Sequence, residues 1–230
     1  MKENYENYYQ EIENKHPWFV ARRKLFRSLL PTNKNLSILD FGCGSARFLN
    51  ELGKYGYKHL EGVEVSESYN AAKIINNENI RITKDIQNKK YDVILMMDVL
   101  EHIEDDLSCL LSMKNHLSDG GMIIASVPAY NFLWSNHDVI NMHYRRYTRK
   151  SLRKVISESS YTIDYMTNWN MTILPFIALS RLINKSAKTE LHIKNKILFN
   201  LLYIILLTEN QIFKTLGLPF GLSIISSFRK

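Results

Sequence analysis

Ile38-Leu39-Asp40-Phe41-Gly42-Cys43-Gly44-Ser45-Ala46 is the stretch on which the fold turns. Leu36 to Asp40 is short and apolar, bounded by Asn35 and Gly42, and reads as a buried strand ending in a carboxylate. The chain then enters a glycine-rich turn and opens a helix over residues 46–54, with Phe48, Leu49 and Leu52 on one face. Glycines at 42 and 44 permit unusual backbone angles and remove the Cβ atoms that would hold a ligand away. Such a turn puts a ligand outside the carboxyl end of the first strand, where doubly wound sheets bind nucleosides. A dinucleotide fingerprint, G-x-G-x-x-G, requires a third glycine at position 47, and Arg47 stands there. A plain strand–helix corner is the other reading of this segment taken alone.

The alternation continues along the chain. Leu60 to Val65 reads as a second strand, Tyr69 to Ile75 as a helix, and Ile80 to Ile86 as a third strand. Tyr91 to Met97 is a strongly apolar fourth strand, Leu107 to His116 a helix, and Gly120-Gly121 turns into a fifth strand, Met122 to Val127. A helix over Arg149 to Ser159 and a strand over Tyr161 to Asn168 follow, and Leu222 to Phe228 closes the chain as a last strand. Strands alternating with helices at this spacing imply parallel βαβ units, and their continuous apolar character fits a sheet covered on both faces. A single domain over 1–230 is expected. It comprises a helical lead-in over 1–32, a core over 33–170, an apolar helical insert over 171–217 and the last strand within 218–230.

Two further segments narrow the ligand. Gly62-Val63-Glu64-Val65-Ser66 places a carboxylate at the end of the second strand, where it can accept two hydrogen bonds from a ribose diol. Asp85, at the end of the third strand, could take an adenine amino group. Met97-Asp98-Val99-Leu100-Glu101-His102-Ile103 directly follows the fourth strand. Asp40-Phe-Gly-Cys-Gly44, Gly62-Val-Glu64 and Asp98-Val-Leu-Glu-His102, in this order and spacing, closely resemble class I methyltransferases dependent on S-adenosylmethionine (SAM). The similarity is greatest to the branch acting on quinones, lipids, sugars and other small acceptors. It covers roughly residues 15 to 170 and the final strand. It implies an α/β, doubly wound, seven-stranded, mostly parallel sheet of the Rossmann-like methyltransferase type, with the last strand antiparallel. It also implies SAM over the first strand ends, with Asp40, Gly42 and Gly44 near the methionine moiety and Glu64 on the ribose; Asp85 and Asp98 complete the cofactor-binding set. The family's usual third glycine is Ala46 here, and Glu64 stands where aspartate is common.

Nucleobase methylation on amino groups typically uses Asn/Asp-Pro-Pro-aromatic after the fourth strand. Asp98-Val99-Leu100-Glu101 lacks those prolines, and there is no Pro-Cys pair for attack on a pyrimidine. Nucleic acid is therefore not expected as a partner, although a formal charge of +7 would suit one. The acceptor side falls to the loop from Ala129 to Arg149, with Leu133-Trp134-Ser135-Asn136-His137-Asp138 and His143-Tyr144-Arg145-Arg146. His137 or His143 could remove a proton from an attacking hydroxyl. Arg145, Arg146, Tyr144 and Trp134 are the candidate acceptor contacts, the arginines by forking onto a phosphate or carboxylate. His137-Asp138 offers two donors, too few to define a metal site, and no metal is expected. His16, Trp18 and Phe19 resemble a lead-in that folds across the cofactor in related enzymes.

The expected activity is methyl transfer from SAM to a small or lipid-linked acceptor, at oxygen. An NAD(P)-dependent oxidoreductase on a similar sheet and a non-catalytic SAM-fold binding module are the alternatives. Cys43 and Cys109 form neither a disulfide framework nor a metal cluster, as in a reducing compartment. The polar, tyrosine-rich opening carries no secretory pattern, so a cytoplasmic location is expected. Ile173 to Leu179 and Ile197 to Leu207 are apolar but shorter than a bilayer span. With Arg181, Lys185, Lys188, Lys194 and Lys196 nearby, they could form a greasy lid or a peripheral contact with the inner membrane face. A helical pair completing the core or burying a dimer interface is the other reading.

Overall fold

The computed structural model describes Glu13 and residues 16–65, 80–183 and 195–230. Helix α1 (Pro17–Leu29) starts where the sequence allows it: Pro17 needs no amide partner in the first turn, and His16 Nδ1 accepts from the Trp18 amide at 3.2 Å. Strand β1 (Ser37–Phe41) leads through the glycine turn into α2 (Arg47–Lys54), then β2 (His59–Val63). Then come β3 (Ile80–Thr83), β4 (Tyr91–Met97), α3 (Asp106–Met113) and β5 (Leu117–Pro128). A short helix α4 (Asn136–Ile140), α5 (Arg149–Glu158) and β6 (Thr162–Trp169) follow. The apolar helices α6 (Leu174–Ile183) and α7 (Lys196–Leu216) precede β7 (Ser223–Arg229).

The seven strands form one sheet in the order β3-β2-β1-β4-β5-β7-β6. All neighbours are parallel except those of β7, which runs antiparallel between β5 and β6, with Ala125 and Thr167 on either side of the Ser226–Ile225 region. The order reverses between β1 and β4, and the crevice at that reversal is where an open α/β sheet takes its ligand. Side-chain alternation along the central strands feeds two cores. Ile38 joins Leu25, Phe26, Leu49, Leu52 and Phe213 on the face covered by α1, α2 and α7. Leu39 joins Leu100, Leu110, Leu152 and Ile156 on the face covered by α3 and α5.

Some boundaries differ from the sequence expectation. β3 stops at Thr83 rather than Ile86, because the Thr83 hydroxyl donates to the Asp85 carbonyl at 2.8 Å and turns the chain. β2 ends at Val63, so Glu64 stands just past the strand, its amide donating to the Thr83 carbonyl at 3.0 Å. The stretch after β5 is not a plain loop. Asn131–Leu133 forms a 3-10 turn, and α4 is capped by Ser135 and Asp138 reciprocally. The helix expected over Tyr69 to Ile75, and Lys185, Lys188 and Lys194, lie outside the described residues.

Candidate active site

Backbone hydrogen bonds hold the start of the turn after β1. The amides of Gly42 and Cys43 both donate to the Val63 carbonyl, at 2.8 and 3.0 Å. Gly42 (φ +75°) and Gly44 (φ +52°) are left-handed, and a Cβ on Gly42 would meet Val99 Cγ2 at 2.8 Å. Ala46 is also left-handed (φ +56°), which explains why its position favours glycine and why only a small side chain is tolerated. Gly44 N–H donates to Glu64 Oε2 at 2.8 Å, joining the ends of β1 and β2. Asp40 is fully buried, and neither carboxylate oxygen has a hydrogen-bond partner among the described residues. Burial pushes its carboxyl up to about 7; Arg22 pulls it down, and the charges of Glu13 and Glu64 push it up further.

Asp98, at the end of β4, is left-handed too (φ +58°). Its carboxylate accepts from the Ser126 hydroxyl at 2.8 Å and pairs with Arg22, which α1 carries across from the lead-in. The Arg22 guanidinium lies 4.6 Å from the Trp18 ring centre, one helical turn earlier, and Trp18 in turn packs on Trp169. Phe19 lies edge-on to Trp18 at 4.9 Å, and His16 is spent capping α1. Asp85 is exposed in the turn beyond β3, where its backbone carbonyl, rather than its carboxylate, takes the Thr83 and Gln87 side chains.

A second constellation forms after β5, around the fully buried Asp138. Its carboxylate accepts from Ser135 N–H (2.9 Å) and from Arg146 at Nε (2.7 Å) and Nη2 (3.1 Å), and pairs with His143 Nδ1 (2.9 Å). Burial alone would raise Asp138. The hydrogen bonds from His143 and Arg146, with the Arg146 charge, overcome it and hold the carboxyl well below the usual range. Asp138 therefore selects between the two candidate histidines: it orients His143, not the adjacent His137. Burial pushes His137 down to about 4, with Asp138 opposing. His102 stands edge-on to His143, ring centres 4.6 Å apart, and burial followed by His143 pushes it down to about 4. Ligand atoms of Glu101, His102 and His143 lie within 4.8 Å of one another, a donor set chemically able to hold a divalent cation. Glu101 is buried, its Oε2 lacks a partner among the described residues, and burial followed by the Asp98 charge pushes its carboxyl well up.

The expected acceptor contacts separate. Arg146 is a correction: its guanidinium is buried, forked onto Asp138 and bonded to the Ala129 carbonyl at 3.1 Å, so it is not open to a substrate anion. Arg145 pairs with Asp106 at 3.0 Å and with the Glu104 carbonyl, pinning the chain to the start of α3. Tyr144 is exposed, its amide bonded to the Glu101 carbonyl at 2.7 Å, and Trp134 is half-buried. Sequence reasoning missed Arg22, Glu101 and His102 as members of the site. The i, i+4 pair Trp18 and Arg22 in the lead-in was the available signal for the first. It also missed Asn170, whose buried side-chain amide has no partner among the described residues, and Asn168, which donates to the Tyr130 hydroxyl at 3.3 Å.

A 3-2-1-4-5-7-6 sheet with acidic strand ends beside a glycine turn is the arrangement of class I methyltransferases. The methyltransferase domain family matches residues 14–163, and the chain belongs to it. Among curated relatives, the ubiquinone biosynthesis O-methyltransferase of Rickettsia canadensis is 30% identical over 100 residues, covering 40% of this chain and 42% of that one. The chain thus spans about two-fifths of the length of the curated relatives it matches first. Among solved structures, the complex of the Haloferax volcanii Trm112 methyltransferase activator with its methyltransferase contains a similar chain, with TM-score 0.64 and 16% identity, covering 98% and 94% of the two chains. A SAM-dependent methyltransferase from Mesorhizobium loti has TM-score 0.61 and 14% identity, covering 91% and 98%. At these identities the likeness establishes the fold.

The chain therefore carries a methyltransferase domain, and the similar Mesorhizobium loti protein is one that depends on S-adenosylmethionine. The NAD(P) alternative falls with that family. The residues present fit the group: Asp40, Glu64 and Asp98 suit a ligand bearing a sulfonium and an ammonium, and Asp40 has two buried oxygens with no partner among the described residues.

Proposed function

We propose that the chain transfers the SAM methyl group to a hydroxyl oxygen of a small or lipid-linked acceptor, with His143 accepting the hydroxyl proton. The observation that carries this reading is the buried Arg146–Asp138–His143 chain on the ligand-bearing edge of the sheet. Bound SAM supplies an electrophilic methyl on a sulfonium leaving group. Asp138 at His143 Nδ1 fixes the tautomer in which Nδ1 carries the proton, which leaves Nε2 as the acceptor. The carboxylate then stabilises the imidazolium that forms, and Arg146 keeps that carboxylate ionised. Asp40 and Glu64 hold the cofactor, while Arg22, through Asp98 and Trp18, brings the lead-in helix to the same edge. Tyr130, Asn168 and Asn170 offer polar atoms for the acceptor's orientation. The ubiquinone O-methyltransferases among the relatives support a small acceptor methylated at oxygen.

Labelled-methyl transfer to phenolic, sugar and isoprenoid alcohols tests the reaction. His143→Ala is expected to lower turnover about a hundredfold while SAM affinity stays within about twofold; undiminished turnover would retire the base role. Glu64→Ala is expected to weaken SAM binding by about tenfold or more, as loss of charge-assisted hydrogen bonds does. Calorimetric titration reads this directly, and unchanged affinity would take Glu64 out of the site.

A further inference from the structure

Helices α6 and α7 lie beyond residues 14–163, the part matched by the methyltransferase domain family. The inner face of α7 is bound tightly to the domain. Leu206 and Phe213 are fully buried. Asn210 donates to the Ala21 carbonyl and accepts from Trp169 Nε1, both at 2.9 Å. Glu209 accepts from the amides of Met171 (2.9 Å) and Thr172 (3.1 Å) and from the Thr172 hydroxyl (2.6 Å).

The outer face is the reverse of an ordinary surface helix. Ile197, Leu201, Ile204 and Ile212 recur at helical spacing and are 80%, 53%, 60% and 41% exposed. On α6, Phe176 and Leu179 are exposed as well, at 72% and 59%. Exposed apolar groups repeated this way mark a surface that something covers. Charge indicates what. Lys196 opens α7 and is exposed, Lys24 reaches the α7 residue Tyr203, and the sequence joining the helices carries Lys185, Lys188 and Lys194 against one acid, Glu190.

We propose that the outer face of α6 and α7 docks on an anionic phospholipid surface, its apolar side chains in the acyl boundary and Lys196 at the headgroups. The helix lies in the interface rather than crossing it. By length and composition α7 could span a bilayer, but doing so would strip Glu209, Asn210 and Trp169 of their hydrogen bonds in a medium that offers no replacements. A second copy of the chain is a poorer occupant, because its α6 and α7 offer Lys196 no acid: Glu209, the one acid in the two helices, is turned inward onto Met171 and Thr172. Arg181 of α6 donates to the Leu133 carbonyl, in the segment that carries the Asp138 network, so a docked molecule would turn its acceptor side toward the lipid.

Flotation of the full chain with vesicles tests this. The protein is expected to float with phosphatidylcholine vesicles containing phosphatidylglycerol, to float poorly with pure phosphatidylcholine, and to be released by salt. Leu201→Glu with Ile204→Glu, or Ile197→Glu alone, is expected to cut the bound fraction about tenfold with melting temperature and SAM affinity unchanged. Failure to float with anionic vesicles overturns the proposal, as does undiminished flotation of the variants. A concentration-dependent dimer that the variants dissolve, with no vesicle binding, assigns the face to a second copy instead.

Discussion

Asp138→Ala is expected to lower the melting temperature by about 6–15 °C and to reduce methyl transfer at least as far as His143→Ala does. The reason is the number of groups that rely on one buried carboxylate. Without it, the Arg146 guanidinium is left buried with only the Ala129 carbonyl at 3.1 Å, and an uncompensated buried charge costs about 3–5 kcal/mol. The same substitution removes the reciprocal cap of α4, worth about 1 kcal/mol, and frees the His143 ring to adopt the wrong tautomer. SAM affinity should be nearly unaffected, because no hydrogen bond of Asp138 reaches Asp40 or Glu64. Asp138→Asn preserves shape and the contact with the Ser135 amide, so it should recover part of the stability but little turnover. Differential scanning fluorimetry and single-turnover rates read the two effects separately. A melting temperature within about 2 °C of the parent would show that Arg146 has another anchor and that the network does not hold the loop.

That network also marks where sequence reading stops. The β1 turn was legible because strand, carboxylate, glycines and helix are contiguous, and each has one physical reason to stand where it does. Glu64 stands where the same logic looks, since a parallel strand's carboxyl end is a predictable place, whereas Asp98 entered with the family resemblance. His137 and Asp138, neighbours in sequence, look like a pair, yet successive residues of a helix point about 100° apart. Met142, left-handed at φ +56°, reverses the chain and swings His143 back onto Asp138, a turn with no glycine to announce it. Arg146 looked like a free cation beside Arg145 for a related reason: its partner lies eight residues back across that reversal. The Arg22–Asp98 pair joins groups 76 residues apart, and only the packing of α1 over the sheet brings them together. The length of α7 was hidden because Thr208 to Gln211 interrupts the apolar run, although Glu209 and Asn210 point inward and are satisfied there.

Asp40→Asn should make the ligand-free protein more stable at pH 8 while weakening SAM binding by about 10- to 100-fold. In the unfolded chain this carboxyl titrates near its ordinary 3.8, whereas burial in the fold holds its proton until about 7. Between those values the folded state binds more protons than the unfolded state, so stability falls as pH rises from about 4 to 7 and is level above that. The loss approaches 4 kcal/mol at most, on the order of 1.4 kcal/mol per unit. An asparagine amide buried at the same point still lacks partners, at a pH-independent cost of about 1–3 kcal/mol. The variant should therefore melt several degrees above the parent at pH 8, and the gap should close or reverse by pH 5. A gap that does not change with pH would mean that Asp40 is ionised and partnered throughout. Confirmation of both halves would assign the carboxylate its reason for being there: it opposes folding until a cationic ligand arrives, and the ligand's affinity draws on the relief of that burden.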